Sequence, residues 1–317
     1  MTRVRRGLVL GAGGTLGATW MVARLRALET ELDFDAREAD LLVGSSAGSV
    51  LAAMLATGVS VTQLLEHQHG RAAAGNPLAQ VSFSYDVGVG AALPERPPLR
   101  LGSPALLRRV ARHPRQLGTM TALAAALPPG RGSLAGLRAP VDRAAGGPGA
   151  PWPRRLLVAA MDYTTGERVA FGSLSAPRAS VADAVVASCS IPGWFAPAVI
   201  EGRPYIDAGI RQATSADLAA GHGLDEVVVL APLATVSDRD IPDRRFARFE
   251  RSWRRHLTRV LRAEVATLDR DGLRTIVVTP TVAERVAMGP NLMDTRRRVR
   301  VLEASISTGT APPHATG

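Results

Sequence analysis

The first sixty residues repeat one hydrophobic pattern twice. The apolar run GLVL at 7–10 ends in a glycine cluster, and apolar residues then recur at helical spacing from Trp20 to Leu28. The run LLVG at 41–44 ends in a glycine–serine corner and continues into VLAAMLATG, where Gly58 is a plausible helix stop. Two successive strand–turn–helix units predict a parallel sheet with helices on its faces.

The pattern changes between about 70 and 150, which is rich in Pro, Gly and Arg and holds short helical pieces such as PALLRRVAR and MTALAAAL. We interpret this stretch as an insertion of helices and loops. RRLLVAAMDY, TTGE and RVAFG then predict a strand, a turn and a second strand of a hairpin. A helix over ASVADAVVASCS, a short strand at RPYIDAG and two buried-type strands, DEVVVLAPL and LRTIVVTP, follow.

Composition narrows the class of protein. With 317 residues, 46% hydrophobic and 21% charged, the chain is an ordinary globular protein with room for a large core. The single Cys189 excludes an internal disulfide and favours a reducing compartment. No apolar window approaches the roughly eighteen residues that span a bilayer, and the apolar stretch near the N-terminus is short for a signal peptide. We therefore expect a cytoplasmic protein.

The net charge of +10 comes entirely from arginine, since the sequence contains no lysine. A compositional bias toward arginine explains this charge better than a selected basic surface, because the arginines are scattered. A basic protein is nevertheless drawn to anionic surfaces, so peripheral contact with an anionic membrane stays open. No zinc-finger spacing or aromatic RNA-binding motif is present, and we expect no nucleic-acid partner.

The glycine–serine corner, Gly44-Ser45-Ser46-Ala47-Gly48, has the G-x-S-x-G spacing of a nucleophile elbow. In that frame Ser46 occupies a strained turn at the N-terminus of the following helix, where backbone amides favour developing negative charge. An ordinary serine or glycine helix cap is the alternative interpretation.

The first glycine cluster, GAGGTLG at 11–17, has two competing interpretations beyond a tight turn. A dinucleotide phosphate loop would require glycine at position 16, which is Leu16, and an acidic residue after the second strand, where the serine corner stands. Exposed amides beside a nucleophilic serine would instead bind the oxyanion of a tetrahedral intermediate.

The spacing of residues alone does not identify the general base. Among six histidines, His222 in AAGHGLDEV is the nearest in type to a catalytic base, although it is more typical of a helix terminus. Asp207 in RPYIDAGIR is the stronger candidate, because it leaves a strand and is followed by the small residues Ala208 and Gly209. A turn-forming aspartate remains its alternative.

Three motifs in this order, LVLGAGGTLGA, VGSSAGSV and YIDAGIR, resemble the patatin-like phospholipase family. The stretch ASCSIPGWFAPAVIEGRPYIDAG also resembles that family's approach to its catalytic aspartate. The likeness covers about 7–220, with 70–150 unmatched. It implies a three-layer α/β/α fold with a mainly parallel central sheet and a helical insertion over the active site. Residues 221–310 would complete the same domain.

The same resemblance implies a lipid acyl hydrolase of the phospholipase A, lysophospholipase or lipase type, with no cofactor and no metal. Ser46 would be the nucleophile, Asp207 the base, and Gly13 and Gly14 the oxyanion donors. The motif-supporting residues would be Gly11, Gly17, Gly44, Gly48, Ala208 and Gly209. The chain departs from the family at Leu16, where Arg or Lys is frequent, and at Ala12, which replaces a glycine.

Two alternatives belong to other classes: a catalytically silent lipid- or protein-binding member of the same fold, and a dinucleotide-dependent oxidoreductase. Two segments are candidates for lipid access. Residues 70–150 could form a mobile lid. The stretch 244–265 could be an interfacial helix, although we favour a helix that packs on the core. The apolar residues that would form its face are Phe246, Phe249, Trp253, Leu257 and Val260.

Overall fold

The computed structural model describes residues 3–71, 78, 101–235, 247–308 and 314–315, with the backbone alone described at 247–251 and 314–315. Parts of the predicted lid, and both Phe246 and the side chain of Phe249, lie outside the described residues.

One sheet contains every strand of the described residues. The strands are β1 (Arg6–Leu10), β2 (Leu41–Ser45), β3 (Leu156–Asp162), β4 (Arg168–Phe171), β5 (Ala198–Ile200), β6 (Arg203–Asp207), β7 (Glu226–Leu230), β8 (Arg274–Val278) and β9 (His314–Ala315). Their order is β5-β6-β3-β2-β1-β7-β8-β9, and β4 pairs with β3.

The centre of the sheet, β3-β2-β1-β7-β8, is parallel, and antiparallel strands β4, β6 and β9 are added around it. The predicted mainly parallel α/β architecture is confirmed. Strands β7 and β8 join the same sheet as β1.

Ten α-helices surround the sheet in the described residues. They are α1 (Gly14–Glu31), α2 (Ala47–Ala56), α3 (Val61–Gln68), α4 (Pro104–Arg112), α5 (Pro114–Ala126), α6 (Ala135–Ala144), α7 (Val181–Cys189), α8 (Ala247–Arg270), α9 (Val282–Met288) and α10 (Arg298–Ser307). None of the described helices is long and apolar enough to cross a membrane.

Side-chain alternation along β1 creates the three layers. Leu8 and Leu10 belong to a core that includes Trp20 of α1 and Leu51 of α2, whereas Val9 belongs to a second core with residues of α8. Successive strand residues point to opposite faces, so each fully buried strand must be covered by helices on both sides. Burial on both faces explains why these strands are continuous apolar runs in the sequence.

Helix α8 packs on the core over its described length, as the favoured interpretation predicted. Its buried apolar residues, Leu257, Leu261, Val265 and Leu268, recur at helical spacing and face the sheet. Val260 is only half-buried. Trp253 and Leu257 pack together in one apolar cluster, so two of the described members of the predicted apolar face contact the core.

Candidate active site

The serine corner forms a strained turn between β2 and α2. Ser46 has φ 50° and ψ −124°, a conformation that costs a non-glycine residue about 1–3 kcal/mol. A Cβ at Gly48 would lie 1.9 Å from the Leu10 carbonyl oxygen, and one at Gly44 would lie 2.4 Å from the Ser49 Cα. Only glycine at these positions lets α2 rest directly on the strands, which explains the G-x-S-x-G spacing.

The register of β3 brings Asp207 beside this turn. Successive strand residues direct their amides to alternate edges, and the Asp162 amide donates to Glu167 on the β4 side. The Arg155 carbonyl accepts the Leu42 amide of β2, and the Tyr163 amide donates to the Pro204 carbonyl of β6. Both groups therefore lie on the other edge of β3. β2 pairs along 156–159 and β6 along 160–162. The end of β2 consequently meets Asp207.

Asp207 is buried and lines the same open cavity as Ser46. Burial raises the pKa of Asp207 to about 6, while the Ser46 side chain and the Gly209 amide lower it in part. The Gly209 amide donates to Oδ1 at 2.7 Å. A carboxylate with a pKa near neutrality accepts a proton more readily than an exposed aspartate does.

The glycine loop between β1 and α1 lies against the same turn. A Cβ at Gly209 would lie 2.7 Å from the Ala12 Cβ. The amides of Gly11 and Ala12 donate to Leu230 and Ala213, whereas no acceptor among the described residues takes the amides of Gly13 or Gly14. The loop is thus fixed by its first two residues, and its next two amides are left available at the N-terminus of α1.

Two predominantly apolar cavities meet at Ser46. A narrow chamber of about 90 Å³ is lined by Ser46 and by helices α2, α3 and α6, and a larger, open cavity of about 300 Å³ contains Ser46, Asp207, Gly13 and Gly14. The apolar residues of the narrow chamber include Val50, Leu51, Met54, Leu64, Leu134, Leu137 and Phe195. Those of the open cavity include Met120, Leu123, Ile210, Leu233, Trp253 and Leu292. The helical insertion therefore covers the site.

A family model for patatin-like phospholipases matches residues 8–220 of the chain. The match covers more than half of the sequence. The chain belongs to the patatin-like phospholipase family. Membership supports lipase or phospholipase activity and argues against the dinucleotide-dependent oxidoreductase. The family match ends before β7, yet Leu233, Trp253 and Leu292 from beyond it line the open cavity.

Two solved structures resemble this patatin-like chain at low identity. VipD from Legionella pneumophila is 14% identical with a TM-score of 0.46, and the match covers 98% of this chain and 66% of VipD. The type III effector protein ExoU is 15% identical with a TM-score of 0.37, covering 98% of this chain and 54% of ExoU. The chain thus spans less than two thirds of either protein. No curated protein matches it significantly.

The structure shows the surroundings of Leu16, where the chain departs from the family, and of the other candidate residues His222 and Cys189. Leu16 is fully buried in the core, so this position of the patatin-like chain does not direct a side chain into the open cavity. His222 is exposed and precedes β7, at the opposite end of the parallel strands from Ser46. Cys189 is buried, and burial together with the Asp207 charge raises the pKa of its thiol. No cluster of His, Cys, Asp and Glu suited to a metal occurs in the described part of the chain.

Two buried polar residues of the patatin-like site escaped the sequence analysis. Ser188 of α7 hydrogen-bonds the backbone amide of Ser46. Glu264 of α8 accepts hydrogen bonds from the Thr214 hydroxyl and the Ala216 amide, and the carbonyl of the preceding Ala213 accepts the Ala12 amide. Neither residue has a local sequence signal, because both act through contacts between elements distant in the chain.

Proposed function

We propose that this protein is a serine hydrolase of lipid acyl esters that acts through a Ser46–Asp207 dyad. The observation that supports this proposal best is that Ser46 and the buried Asp207, whose pKa is raised to about 6, line one cavity together with Gly13 and Gly14. A serine hydroxyl is a poor nucleophile until a neighbouring base accepts its proton. Asp207 is suited to accept that proton at neutral pH.

Acylation of the enzyme proceeds in two steps. Asp207 accepts the hydroxyl proton of Ser46 as Oγ attacks the ester carbonyl carbon, and the carbonyl π electrons move onto its oxygen. The free amides of Gly13 and Gly14 donate to this oxyanion, and each such donor contributes roughly 3–4 kcal/mol to catalysis. Collapse of the intermediate breaks the ester C–O bond, and the leaving alcohol takes the proton from Asp207.

Hydrolysis of the acyl-enzyme repeats this chemistry with water. Asp207 accepts a proton from water as the water oxygen attacks the acyl carbonyl. The Ser46 Oγ then leaves and recovers the proton, which releases a carboxylic acid. Neither stage requires a group other than the protein and its substrate.

The apolar cavities on either side of Ser46 support a lipid rather than a small polar ester. The narrow chamber is lined mainly by aliphatic and aromatic side chains, beside the polar Thr15, His67 and Gln68. The apolar side chains would hold an acyl chain through the hydrophobic effect. Binding of a remote chain also fixes the ester carbonyl against the nucleophile, so that binding energy contributes to rate. Phospholipids, lysophospholipids and acylglycerols are all candidate substrates.

The test is fluorophosphonate labelling with mass mapping, followed by hydrolysis of vesicles or micelles of each lipid class. We expect an adduct on Ser46 alone. The matched control is Ser45→Ala, because the neighbouring Ser45 is equally buried but its hydroxyl makes only a 3.4 Å contact with the Thr214 carbonyl. Ser45→Ala should label normally, and Ser46→Ala should not label.

Asp207→Asn tests the base separately. The asparagine carbonyl can still accept the Gly209 amide, so the fold should persist, whereas loss of the general base should slow turnover by about 10²–10⁴-fold. An adduct on another serine would contradict the site assignment. Lipid binding without any labelling of the wild type would instead identify a catalytically silent member of the fold.

A further inference from the structure

The last turn of α7 lies between the ends of β2 and β6. Within this turn, Ser188 is fully buried, and its hydroxyl accepts the Ser46 amide at 2.7 Å and donates to the Ala159 carbonyl at 2.6 Å. A hydroxyl can fill both roles because it is a donor and an acceptor at once. One side chain thus joins the serine corner to β3.

The pattern of the β2–β3 ladder explains why this hydroxyl is needed. The Leu42 amide donates directly to the Arg155 carbonyl, and parallel ladders repeat such bonds every second residue. Continued by four residues, the same ladder would join the Ser46 amide directly to the Ala159 carbonyl. The Ser188 hydroxyl stands between these two groups instead. It therefore holds the Ser46 main chain one oxygen atom away from its ladder position.

Ser188 separates β2 from β3 at the point where pairing with β2 ends and β6 begins to pair with the same edge of β3. Asp207 pairs with Ala160, directly after the residue whose carbonyl Ser188 binds. The Asp207 amide also donates to the Ser190 carbonyl at 3.0 Å. Two residues of a single helical turn therefore fix the backbones of both Ser46 and Asp207.

We propose that Ser188 is a positioning residue, whose hydroxyl separates the end of β2 from β3 and thereby holds the Ser46 hydroxyl against Asp207. This role rests on the proposed function of Ser46 as nucleophile. It also means that the Ser46 amide is already occupied and does not serve as an oxyanion donor, which leaves that task to the glycine loop.

The experiment compares Ser188→Ala with Ser305→Ala in the full chain. Ser305 is a buried serine of α10 whose hydroxyl donates to the Val301 carbonyl of its own helix, and it lines neither cavity, which makes it a matched control. We expect Ser188→Ala to lower both kcat on p-nitrophenyl octanoate and the fluorophosphonate labelling rate by about 10–100-fold. KM should stay within about twofold, since the variant leaves the residues of both cavities intact.

Rescue by a conservative variant separates positioning from general destabilisation. Ser188→Thr retains a hydroxyl and should recover most of the labelling rate, and Ser305→Ala should label within about twofold of the wild type. Rates are normalised to folded protein measured by circular dichroism. Wild-type labelling of Ser188→Ala would overturn the positioning role while leaving the proposed function intact. A wild-type protein that fails to label on Ser46 would instead refute the proposed function.

Ser188→Cys provides the comparison if Ser188→Ala does not fold. Its thiol occupies similar space but is a weak donor and a weak acceptor, so the folded variant should label more slowly than the wild type. A Cys variant that labels at the wild-type rate would overturn the role assigned to Ser188.

Discussion

Asp207 carries its charge at an energetic cost that an exposed aspartate does not have. Burial raises its pKa to about 6, which means that the folded protein favours the protonated form. Lowering the pH through this value relieves the cost of the buried charge, so protonation of Asp207 does not itself promote unfolding. The same protonation removes the proposed base. Activity should therefore be lost in acid before the fold is.

The predicted pH profile of activity follows from the upward shift of the Asp207 pKa. kcat/KM for a soluble ester should be constant above neutrality, half-maximal near the pKa of about 6, and should fall about tenfold per pH unit in more acidic solution. Circular dichroism at each pH controls for unfolding. Activity that stays constant to about pH 4, where ordinary aspartates titrate, would contradict the raised pKa.

Local sequence patterns pointed to Ser46 and Asp207, but not to Ser188. The two predicted residues stand in motifs whose spacing reflects local sterics, such as the absence of a Cβ where Gly48 meets the Leu10 carbonyl. Ser188 can bridge the Ser46 amide and the Ala159 carbonyl because β2 stops pairing with β3 at this point and β6 begins. Buried serines in helices are common, and no periodicity separates this one from the others. Family resemblance was also needed to choose Asp207 over His222.

At the scale of elements, the strand–turn–helix repeats could be read from the sequence because each strand is buried on both faces. The short strand β5 was not predicted, since three residues, Ala198–Ile200, carry no periodic signal. The function of the insertion was equally hidden. Its helices α5 and α6 contribute to two different cavities, a division that depends on tertiary packing. Whether the insertion opens as a lid stays a prediction.

Helix α2 links Ser46, the proposed nucleophile, to the narrow chamber, and this link predicts substrate selectivity. Val50, one turn after Ser46, lines the chamber. Val50→Phe should fill part of the roughly 90 Å³ available and lower kcat/KM for octanoyl and palmitoyl esters more than for acetyl esters. The physical reason is that close-packed interiors do not accommodate added volume without strain.

A substitution of the same type elsewhere controls for this prediction. Val299→Phe places the same ring on α10, where Val299 is 51% exposed, and should leave the acyl-chain profile unchanged. An identical profile for Val50→Phe and the wild type would show that the chamber does not receive the acyl chain.

At the scale of the whole molecule, charge becomes the relevant property. The net charge of +10 favours anionic over zwitterionic surfaces at low ionic strength. The insertion that contributes Leu123 to the open cavity also carries the exposed arginines Arg108, Arg112 and Arg115. Peripheral binding would therefore bring lipid close to the covered site.

Vesicle sedimentation tests this property with Ser46→Ala, which leaves the lipid intact. We expect binding to phosphatidylglycerol vesicles at low salt, little binding to phosphatidylcholine vesicles, and loss of binding at about 0.5 M salt, where the Debye length falls to roughly 4 Å. Equal, salt-insensitive binding to both vesicle types would show that the basic charge does not direct the protein to membranes.

Two cavities of different volume around Ser46 would separate the two products of the proposed reaction. An acyl group bound in the narrow chamber would stay behind after the first bond breaks, while the alcohol fragment would depart through the larger cavity that contains Asp207. That departure would clear the path by which water reaches the acyl-enzyme. Turnover would then follow a ping-pong sequence in which the fatty acid leaves last, so free fatty acid should inhibit by competing with the incoming lipid.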